Sequence, residues 1–149
     1  MREYLSEIIS SFKEISKKKF IFNYVQDSNV KKITKSIEIV YGLRNFIGNA
    51  NKFSKETIYI NLKSDSETTE ITIEDDGNGD PKDVLSKIGE PYLRSKDPIE
   101  KSKTGLGLGL FIGKTLLEKN FASINCRNSK TRNGAEVIIK WNNRDLFNI

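Results

Sequence analysis

The most informative absence in the sequence is histidine, because the 149-residue chain contains none. Chemistry that needs an imidazole must therefore take it from another chain or from a segment that this sequence lacks. The single cysteine, Cys126, excludes an internal disulfide and is typical of a reducing compartment. Its position in an alternating stretch predicts a small core residue rather than a reactive thiol.

Long apolar runs are also missing. No stretch approaches the roughly 20 residues that a membrane-spanning helix needs, and the first residues lack the apolar core of a signal peptide. Hydrophobic residues make up 36% of the chain and charged residues 30%, which is typical of a folded soluble domain. The net charge of +5 fits either a polyanionic ligand such as a nucleotide or an ordinary solubilising surface.

The hydrophobic periodicity predicts a domain that mixes helices and strands. Helices are expected over 1–17, 36–53, 82–88 and 106–119, and strands over 20–25, 30–33, 57–62, 70–75, 122–127 and 136–141. Residues 89–104 contain two prolines and many charges without any period, as functional lids or disordered segments do. We expect an α/β two-layer sandwich with a mixed, mainly antiparallel sheet and helices on one face.

The predicted helix over 36–53 has two different faces. Its apolar stripe consists of Val40, Leu43, Ile47 and Ala50. Asn45, Asn49 and Lys52 recur at helical spacing on another face, which is either solvated or functional. Asparagine is a poor helix former, so two in one row need a reason. An amide oxygen is a suitable Mg²⁺ ligand, and a lysine one turn later could meet a phosphate.

A sharp break follows the strand that ends at Asp75. The segment Asp76-Gly77-Asn78-Gly79 is typical of a hairpin turn. The residues after it have a helical rather than a strand pattern, which favours a different interpretation. In that interpretation Asp75 accepts a hydrogen bond from an exocyclic amine and so selects adenine, while Gly77 and Gly79 let the backbone approach a flat ligand.

The stretch Gly105-Leu106-Gly107-Leu108-Gly109-Leu110 precedes a predicted helix. Glycine-rich backbone that leads into a helix N-terminus offers free N–H groups and the positive dipole end to a phosphate. The spacing matches neither a Walker loop nor a Rossmann fingerprint. The stretch alone is therefore only a weak indication of nucleotide binding.

Taken in order, these three segments resemble the N, G1 and G2 boxes of the GHKL ATP-binding superfamily, over about residues 36–141. The resemblance implies ATP and Mg²⁺ as cofactors, a flexible ATP lid, and a nucleotide held between helices. It implies Asn49 as the metal ligand, Lys52 as a phosphate contact and Asp75 as the adenine contact. The residues it places around the nucleotide are Gly77, Gly79, Thr104, Gly105, Leu106, Gly107, Leu108, Gly109 and Leu110.

Position 45 separates the branches of this superfamily. ATPases and stand-alone serine kinases resemble one another in having glutamate there, whereas this chain has Asn45, as sensor histidine kinases do. An amide is a poor base for water or serine, while a neutral imidazole acceptor needs less activation. The strings Gly89-Glu90-Pro91-Tyr92 and Gly105–Glu118 resemble the RegB/PrrB redox-responding kinases. Asp80 departs from the family, which usually has an apolar residue before the proline.

The resemblance therefore implies the catalytic domain of a two-component sensor histidine kinase. It would transfer the γ-phosphate of ATP to a histidine on a separate dimerisation domain, with Asn45, Asn49 and Lys52 as catalytic residues. We expect lid cations to reach the phosphates, and the candidates are Arg94, Lys96, Lys101 and Lys103. Residues 1–17 are expected to follow a missing phosphoacceptor region, with the ATP-binding domain over 18–149.

The expected partners follow from the same resemblance. They are the dimerisation domain, which makes the full-length protein a homodimer, and a downstream response regulator. This domain is expected in the cytoplasm, and membrane contact is expected only through missing segments of an inner-membrane kinase. A stand-alone serine kinase that holds a sigma factor is one alternative, and an ATP-sensing module without transfer activity is another. A nucleic-acid binder has only the charge in its favour, because aromatics do not interleave with the basic clusters.

Overall fold

A computed structural model describes residues 1–26, 36–78, 108–129 and 134–146. Within these ranges the helices are α1 (Arg2–Ile15), α2 (Ile37–Phe53), α3 (Leu108–Lys119) and α4 (Asn143–Leu146). The strands are β1 (Lys19–Gln26), β2 (Thr57–Ser64), β3 (Thr68–Asp75), β4 (Ser123–Asn128) and β5 (Ala135–Asn142). Each predicted element inside these ranges is present. Four of the five strands are two residues longer than expected, and β4 has the predicted length but begins one residue later.

The strands form one sheet in the order β1-β2-β3-β5-β4. The pair β1–β2 is parallel, because α2 connects the two strands as a crossover, and the other three pairs are antiparallel. This arrangement confirms the prediction of a mixed, mainly antiparallel sheet. The β2–β3 hairpin turns at Asp65, whose Oδ1 accepts the backbone N–H groups of Glu67 and Thr68 at 2.8 Å.

The core lies between one face of the sheet and the helices. Side chains alternate between buried and half-buried along β3, as expected for a sheet that is covered on one face only. The strands contribute Ile58, Ile60, Leu62, Ile71, Ile73, Ile139 and Trp141 to this core, and the helices contribute Leu5, Ile8, Ile39, Leu43, Phe46, Ile47, Leu110 and Leu117. The predicted two-layer architecture with helices on one face is confirmed.

Helix α1 packs into the same core as the rest of the molecule. Leu5 and Ile8 are completely or almost completely buried, and Phe12 stacks on Phe20 at the start of β1 with ring centroids 6.3 Å apart. In the sequence, Leu5, Ile8, Ile9, Phe12 and Ile15 recur near helical spacing, which predicts that Ile15 also lies on the apolar face. This prediction was wrong, because Ile15 is the last residue of the helix and is 80% exposed.

Helix α2 begins one residue later than expected because Ser36 is its N-cap, with Oγ accepting the N–H of Ile39. The predicted apolar stripe is largely correct, since Leu43, Ile47 and Ala50 are buried and Val40 is half-buried. Several predictions lie outside the described residues, namely the strand over 30–33, the helical turns over 82–88 and the lid over 89–104. Helix α3 is described from Leu108 onward.

Candidate nucleotide site

Asp75 is the most deeply buried carboxylate of the candidate site, with 4% of its surface exposed at the end of β3. Its Oδ1 accepts the N–H of Gly77 at 2.8 Å and the N–H of Ala135 at 3.3 Å. Burial raises the pKa of Asp75 above its usual value, although these two hydrogen bonds oppose the increase. Among the described residues no donor reaches Oδ2. A carboxylate oxygen of this kind can accept a hydrogen bond from a ligand.

Two glycines bring backbone close to this carboxylate. A Cβ at Gly77 would overlap the carbonyl oxygen of Phe53, and a Cβ at Gly134 would overlap the backbone of Asp75. Any side chain at either position would therefore displace the end of α2 or the end of β3. Gly77 was predicted from the sequence, and its role is a close approach between β3 and α2. Gly79 lies outside the described residues.

The amide of Asn45 has a defined orientation. Its Nδ2 donates to the carbonyl oxygen of Tyr41 one turn earlier at 2.9 Å, and only the NH₂ group can donate to a carbonyl. The Oδ1 atom therefore points the other way, toward α3, where a Cβ added at Gly109 would lie 3.6 Å from it. Asn45 thus presents an acceptor beside the amino-terminal end of α3.

Close packing between α2 and α3 produces this arrangement. A Cβ at Gly42 would lie 2.8 Å from Leu117, and a Cβ at Gly113 would lie 3.0 Å from the Cβ of Asn45. An ion pair between Lys119 and Glu38 at 3.0 Å joins the two helices at the far end. Both glycines are therefore needed for the short distance between the two helices. At this distance the N-terminus of α3 faces the polar row of α2, which consists of Asn45, Asn49 and Lys52.

Asn49 and Lys52 continue that row toward the C-terminus of α2. Asn49 is half-buried and makes no side-chain hydrogen bond to another described residue. Lys52 is exposed, and its ammonium group lies 5.4 Å from the centre of the Phe53 ring. The row is not a fully solvated face, because Asn45 and Asn49 are partly covered.

The glycine-rich segment is described only in its last part. Leu110 is buried at 4% exposure and anchors the first turn of α3 in the core. The free N–H groups at the start of a helix attract anions, so this end of α3 is suited to phosphate. Residues 79–107 lie outside the described part, and with them Gly105, Leu106, Gly107, Thr104, Arg94, Lys96, Lys101 and Lys103.

The described residues include chemical groups of the types that bind a nucleotide and a hard cation. Asp75 Oδ2 suits an amine, the amide oxygen of Asn49 suits Mg²⁺, and the N-terminus of α3 suits phosphates. The described part of the chain contains no group of three or more histidine, cysteine, aspartate or glutamate side chains that could hold a metal ion. None of the described helices is both long and apolar enough to cross a membrane.

Sequence reasoning did not identify two residues of this region. Gly134 lies in the polar turn between the strands predicted over 122–127 and 136–141, where Asn133-Gly134 is a turn signal that could have identified it. Lys18 belongs to the basic run Lys17-Lys18-Lys19, which by its sequence indicates only the end of the first helix. Its Nζ donates to the carbonyl oxygens of Asn51, at 2.9 Å, and of Ser54, which belong to the end of α2.

A family described as histidine kinase-, DNA gyrase B- and HSP90-like ATPases matches residues 34–145. Among curated proteins, the sensor histidine kinase RegB of Cereibacter sphaeroides is 38% identical over 97 residues, which cover 62% of this chain and 21% of RegB. The sensor histidine kinase CssS of Bacillus subtilis is 34% identical over 89 residues, which cover 60% of this chain and 18% of CssS. The chain thus spans about a fifth of the length of these relatives.

Solved structures agree with the fold. The mycobacterial sensor histidine kinase MprB superposes with a TM-score of 0.75 at 22% sequence identity, and 95% of each chain is covered. A nucleotide-free catalytic domain of the histidine kinase ThkA superposes with a TM-score of 0.74 at 22% identity, covering 95% of this chain and 93% of that one. At this identity the likeness is one of fold.

Proposed function

We propose that this chain binds ATP with Mg²⁺ and transfers the γ-phosphate to a histidine of a separate dimerisation domain. The premise is that the chain belongs to the family of histidine kinase-, DNA gyrase B- and HSP90-like ATPases. Within that family it is the ATP-binding catalytic domain of a sensor histidine kinase. The observation that carries the proposal is the buried Asp75, whose Oδ1 is held by two backbone N–H groups while Oδ2 has no donor among the described residues. A carboxylate oriented in this way selects an amine.

Adenine carries an exocyclic amine where guanine carries a carbonyl oxygen. Oδ2 of Asp75 accepts a hydrogen bond from the adenine amine, while a guanine carbonyl in the same place would face a carboxylate without a proton between them. The unpaired acceptors would cost roughly 1–3 kcal/mol. The close backbone approach at Gly77 supports this interpretation, because it fixes the end of β3, where Asp75 lies, against the carbonyl of Phe53 at the end of α2.

The phosphate end of the nucleotide lies, in this proposal, between the polar row of α2 and the N-terminus of α3. Asn49 supplies an oxygen to Mg²⁺, Lys52 contacts a phosphate, and Asn45 presents its Oδ1 to the same region. Bound Mg²⁺ would neutralise charge on the phosphates during transfer. The amide of Asn45 cannot take a proton at neutral pH, so this chain lacks a base there for the activation of water.

The acceptor side of the reaction belongs to parts of the protein beyond this domain. In this proposal the phosphoryl group passes from ATP to an imidazole nitrogen of a dimerisation domain, since this chain has no histidine to accept it, and ADP is released. A response regulator then receives the phosphoryl group. We further propose that the full-length protein is a homodimer, with this domain in the cytoplasm and its anchor in the inner membrane. In this proposal the phosphoacceptor segment precedes residues 1–17, and the ATP-binding domain spans 18–149.

The test uses labelled ATP, Mg²⁺ and a fragment that carries a histidine-bearing helical hairpin from the same protein. We expect label on the fragment that is lost in acid and stable in base, as phosphohistidine is. Acid-stable phosphoserine on another protein would instead identify a serine kinase. Tight ATP binding without transfer to any supplied acceptor would identify an ATP-sensing module.

A further inference from the structure

The connection between α2 and β2 is held by two side chains of opposite charge. We define the α2–β2 junction as residues 51–57. Lys18 donates from Nζ to carbonyl oxygens at the start and middle of this junction, those of Asn51 and Ser54. Asp76 accepts from its other end, where three successive backbone N–H groups converge on the carboxylate. They belong to Lys55 at 2.7 Å, Glu56 at 3.1 Å and Thr57 at 3.1 Å.

Both contacts have a clear physical basis. The last carbonyl groups of a helix lack intrahelical partners and attract a cation, which Lys18 supplies. Successive N–H groups that point to one place form an anion site, which Asp76 occupies. Partial burial alone would raise the pKa of Asp76, but the N–H groups of the junction outweigh it and hold that pKa below its usual value. The carboxylate is therefore charged at neutral pH.

The junction lies between the two halves of the nucleotide site. Asp76 follows Asp75 directly in the chain, and the charge of Lys18 partly offsets the rise that burial causes in the pKa of Asp75. Gly77 approaches the carbonyl of Phe53 so closely that no side chain fits between them. The end of α2, which carries Asn49 and Lys52, is thereby coupled to the end of β3.

We propose that Lys18 and Asp76 are positioning residues that hold Asp75 and the polar row of α2 at the spacing that one nucleotide requires. This inference rests on the proposed function, since it takes Asp75 as the residue that reads adenine. Neither side chain needs to touch the nucleotide. Without them the α2–β2 junction keeps the hydrogen bonds from Ser16 to Asn51 and from Lys19 to Glu56 but loses those of Lys18 and Asp76. The junction then shifts, and Oδ2 of Asp75 no longer meets the adenine amine while the phosphates are bound.

The chain provides a matched control at the other end of the same hairpin. Asp65 also accepts successive backbone N–H groups, those of Glu67 and Thr68, and its pKa is lowered by these hydrogen bonds. It lies at the β2–β3 turn, and Asp75 lies at the opposite end of β3. Asp65→Ala therefore removes a comparable set of hydrogen bonds without affecting the α2–β2 junction.

The experiment measures the dissociation constants of Mg²⁺–ATP and Mg²⁺–GTP by calorimetry, at a temperature where circular dichroism shows each variant to be folded. We expect Asp76→Ala to weaken ATP binding about tenfold, equivalent to 1.4 kcal/mol, and to reduce the preference for ATP over GTP. Lys18→Met, which keeps the apolar stem of the side chain, should act in the same direction. Asp65→Ala and the exposed-lysine control Lys63→Met should leave the preference unchanged.

The preference ratio distinguishes positioning from general destabilisation, because a loss of folded protein lowers the apparent affinity for both nucleotides equally. An unchanged ratio in Asp76→Ala and Lys18→Met would overturn the inference. If Asp76→Ala does not fold, Asp76→Asn and Lys18→Met decide the same question. A wild-type domain without any ATP preference, or an Asp75→Asn variant that keeps it, would instead contradict the proposed function.

Discussion

Gly134 lies directly against Asp75, although the two residues are far apart in the sequence. A side chain at position 134 would overlap the backbone and Oδ1 of Asp75, and the next residue, Ala135, donates its N–H to that Oδ1. The start of β5 therefore orients the carboxylate at the end of β3. The proposed adenine contact therefore depends on the pairing of two strands as well as on the motif that contains the aspartate.

Gly134→Ala should weaken both folding and nucleotide binding. The added methyl group must displace either the start of β5 or Asp75, and overpacking of this kind costs about 1–3 kcal/mol. We expect a lower free energy of unfolding in urea and a loss of ATP affinity of about tenfold, corresponding to 1.4 kcal/mol, measured by calorimetry.

The control for this substitution is Gly48→Ala on α2. A Cβ there would lie 3.3 Å from Cζ of the Phe12 ring, a side-chain contact that can adjust, and alanine favours the helix by up to about 1 kcal/mol. Unfolding and ATP binding should change little. Equal effects of the two substitutions would show that the proximity of Gly134 to Asp75 has no special role.

Asp75→Asn should stabilise the nucleotide-free domain at neutral pH and weaken its ATP binding. Burial raises the pKa of Asp75 in the folded state above 3.8, the value expected for the unfolded chain. The folded state therefore binds the proton more tightly, so the contribution of this group to stability falls as the pH rises from about 3.8 through the folded pKa. Asparagine keeps an acceptor for Gly77 and Ala135 but carries no charge.

The measurement is urea unfolding of both proteins at pH 4 and pH 7, combined with ATP titration at pH 7. The stability advantage of Asp75→Asn should be larger at pH 7 than at pH 4. A wild-type domain that is the more stable of the two at pH 7 would mean that the two hydrogen bonds to Oδ1 outweigh the cost of burying the charge.

Asn49→Ala should remove the dependence of nucleotide binding on Mg²⁺. Asn49 is half-buried and makes no side-chain hydrogen bond to another described residue, so its loss should affect folding little. Titration of ATP with Mg²⁺ and with EDTA compares the two conditions. We expect Mg²⁺ to improve ATP affinity in the wild type and to have little effect in Asn49→Ala. If Mg²⁺ strengthens binding equally in both, Asn49 is not the metal ligand.

Asn143→Ala should reduce stability without changing nucleotide affinity. Asn143 accepts a hydrogen bond from Thr69 Oγ1 at 2.6 Å and donates one to the carbonyl of Asp65 at 2.6 Å, and it is buried. Loss of both bonds should cost about 1–3 kcal/mol in urea unfolding. The β2–β3 turn that it braces lies at the opposite end of β3 from Asp75, so ATP affinity should be unchanged. Its exposed neighbour Asn142 provides the control, since Asn142→Ala should alter neither quantity.

The sequence was sufficient for the elements and for several site residues because their signals are local. Helical periodicity identifies the buried face of α2, and the Asp75–Gly79 break identifies the end of β3. Ile15 was predicted wrongly because periodicity alone does not show where a helix leaves the core. The roles of Asn49 and Lys52 stay predictions, since they depend on a bound nucleotide.

Gly134 and Lys18 could not be recognised because their importance depends on long-range contacts. The position of Gly134 beside Asp75 follows from the pairing of β3 with β5. Lys18 precedes β1, yet it binds the end of α2 because β1 pairs with β2 from its first residue, Lys19 opposite Thr57. Neither relationship has a local pattern.

The sequence by itself determined the alternation of helices and strands, the absence of an imidazole, and the ordered motifs that resemble an ATP-binding domain. These features depend on residue type and on spacing within short segments. Only the tertiary structure decided which oxygen of Asp75 is left for a ligand, which way the amide of Asn45 points, and what holds the α2–β2 junction. Each of those depends on donors and acceptors that come from separate elements, and strand pairing and helix packing bring these elements together.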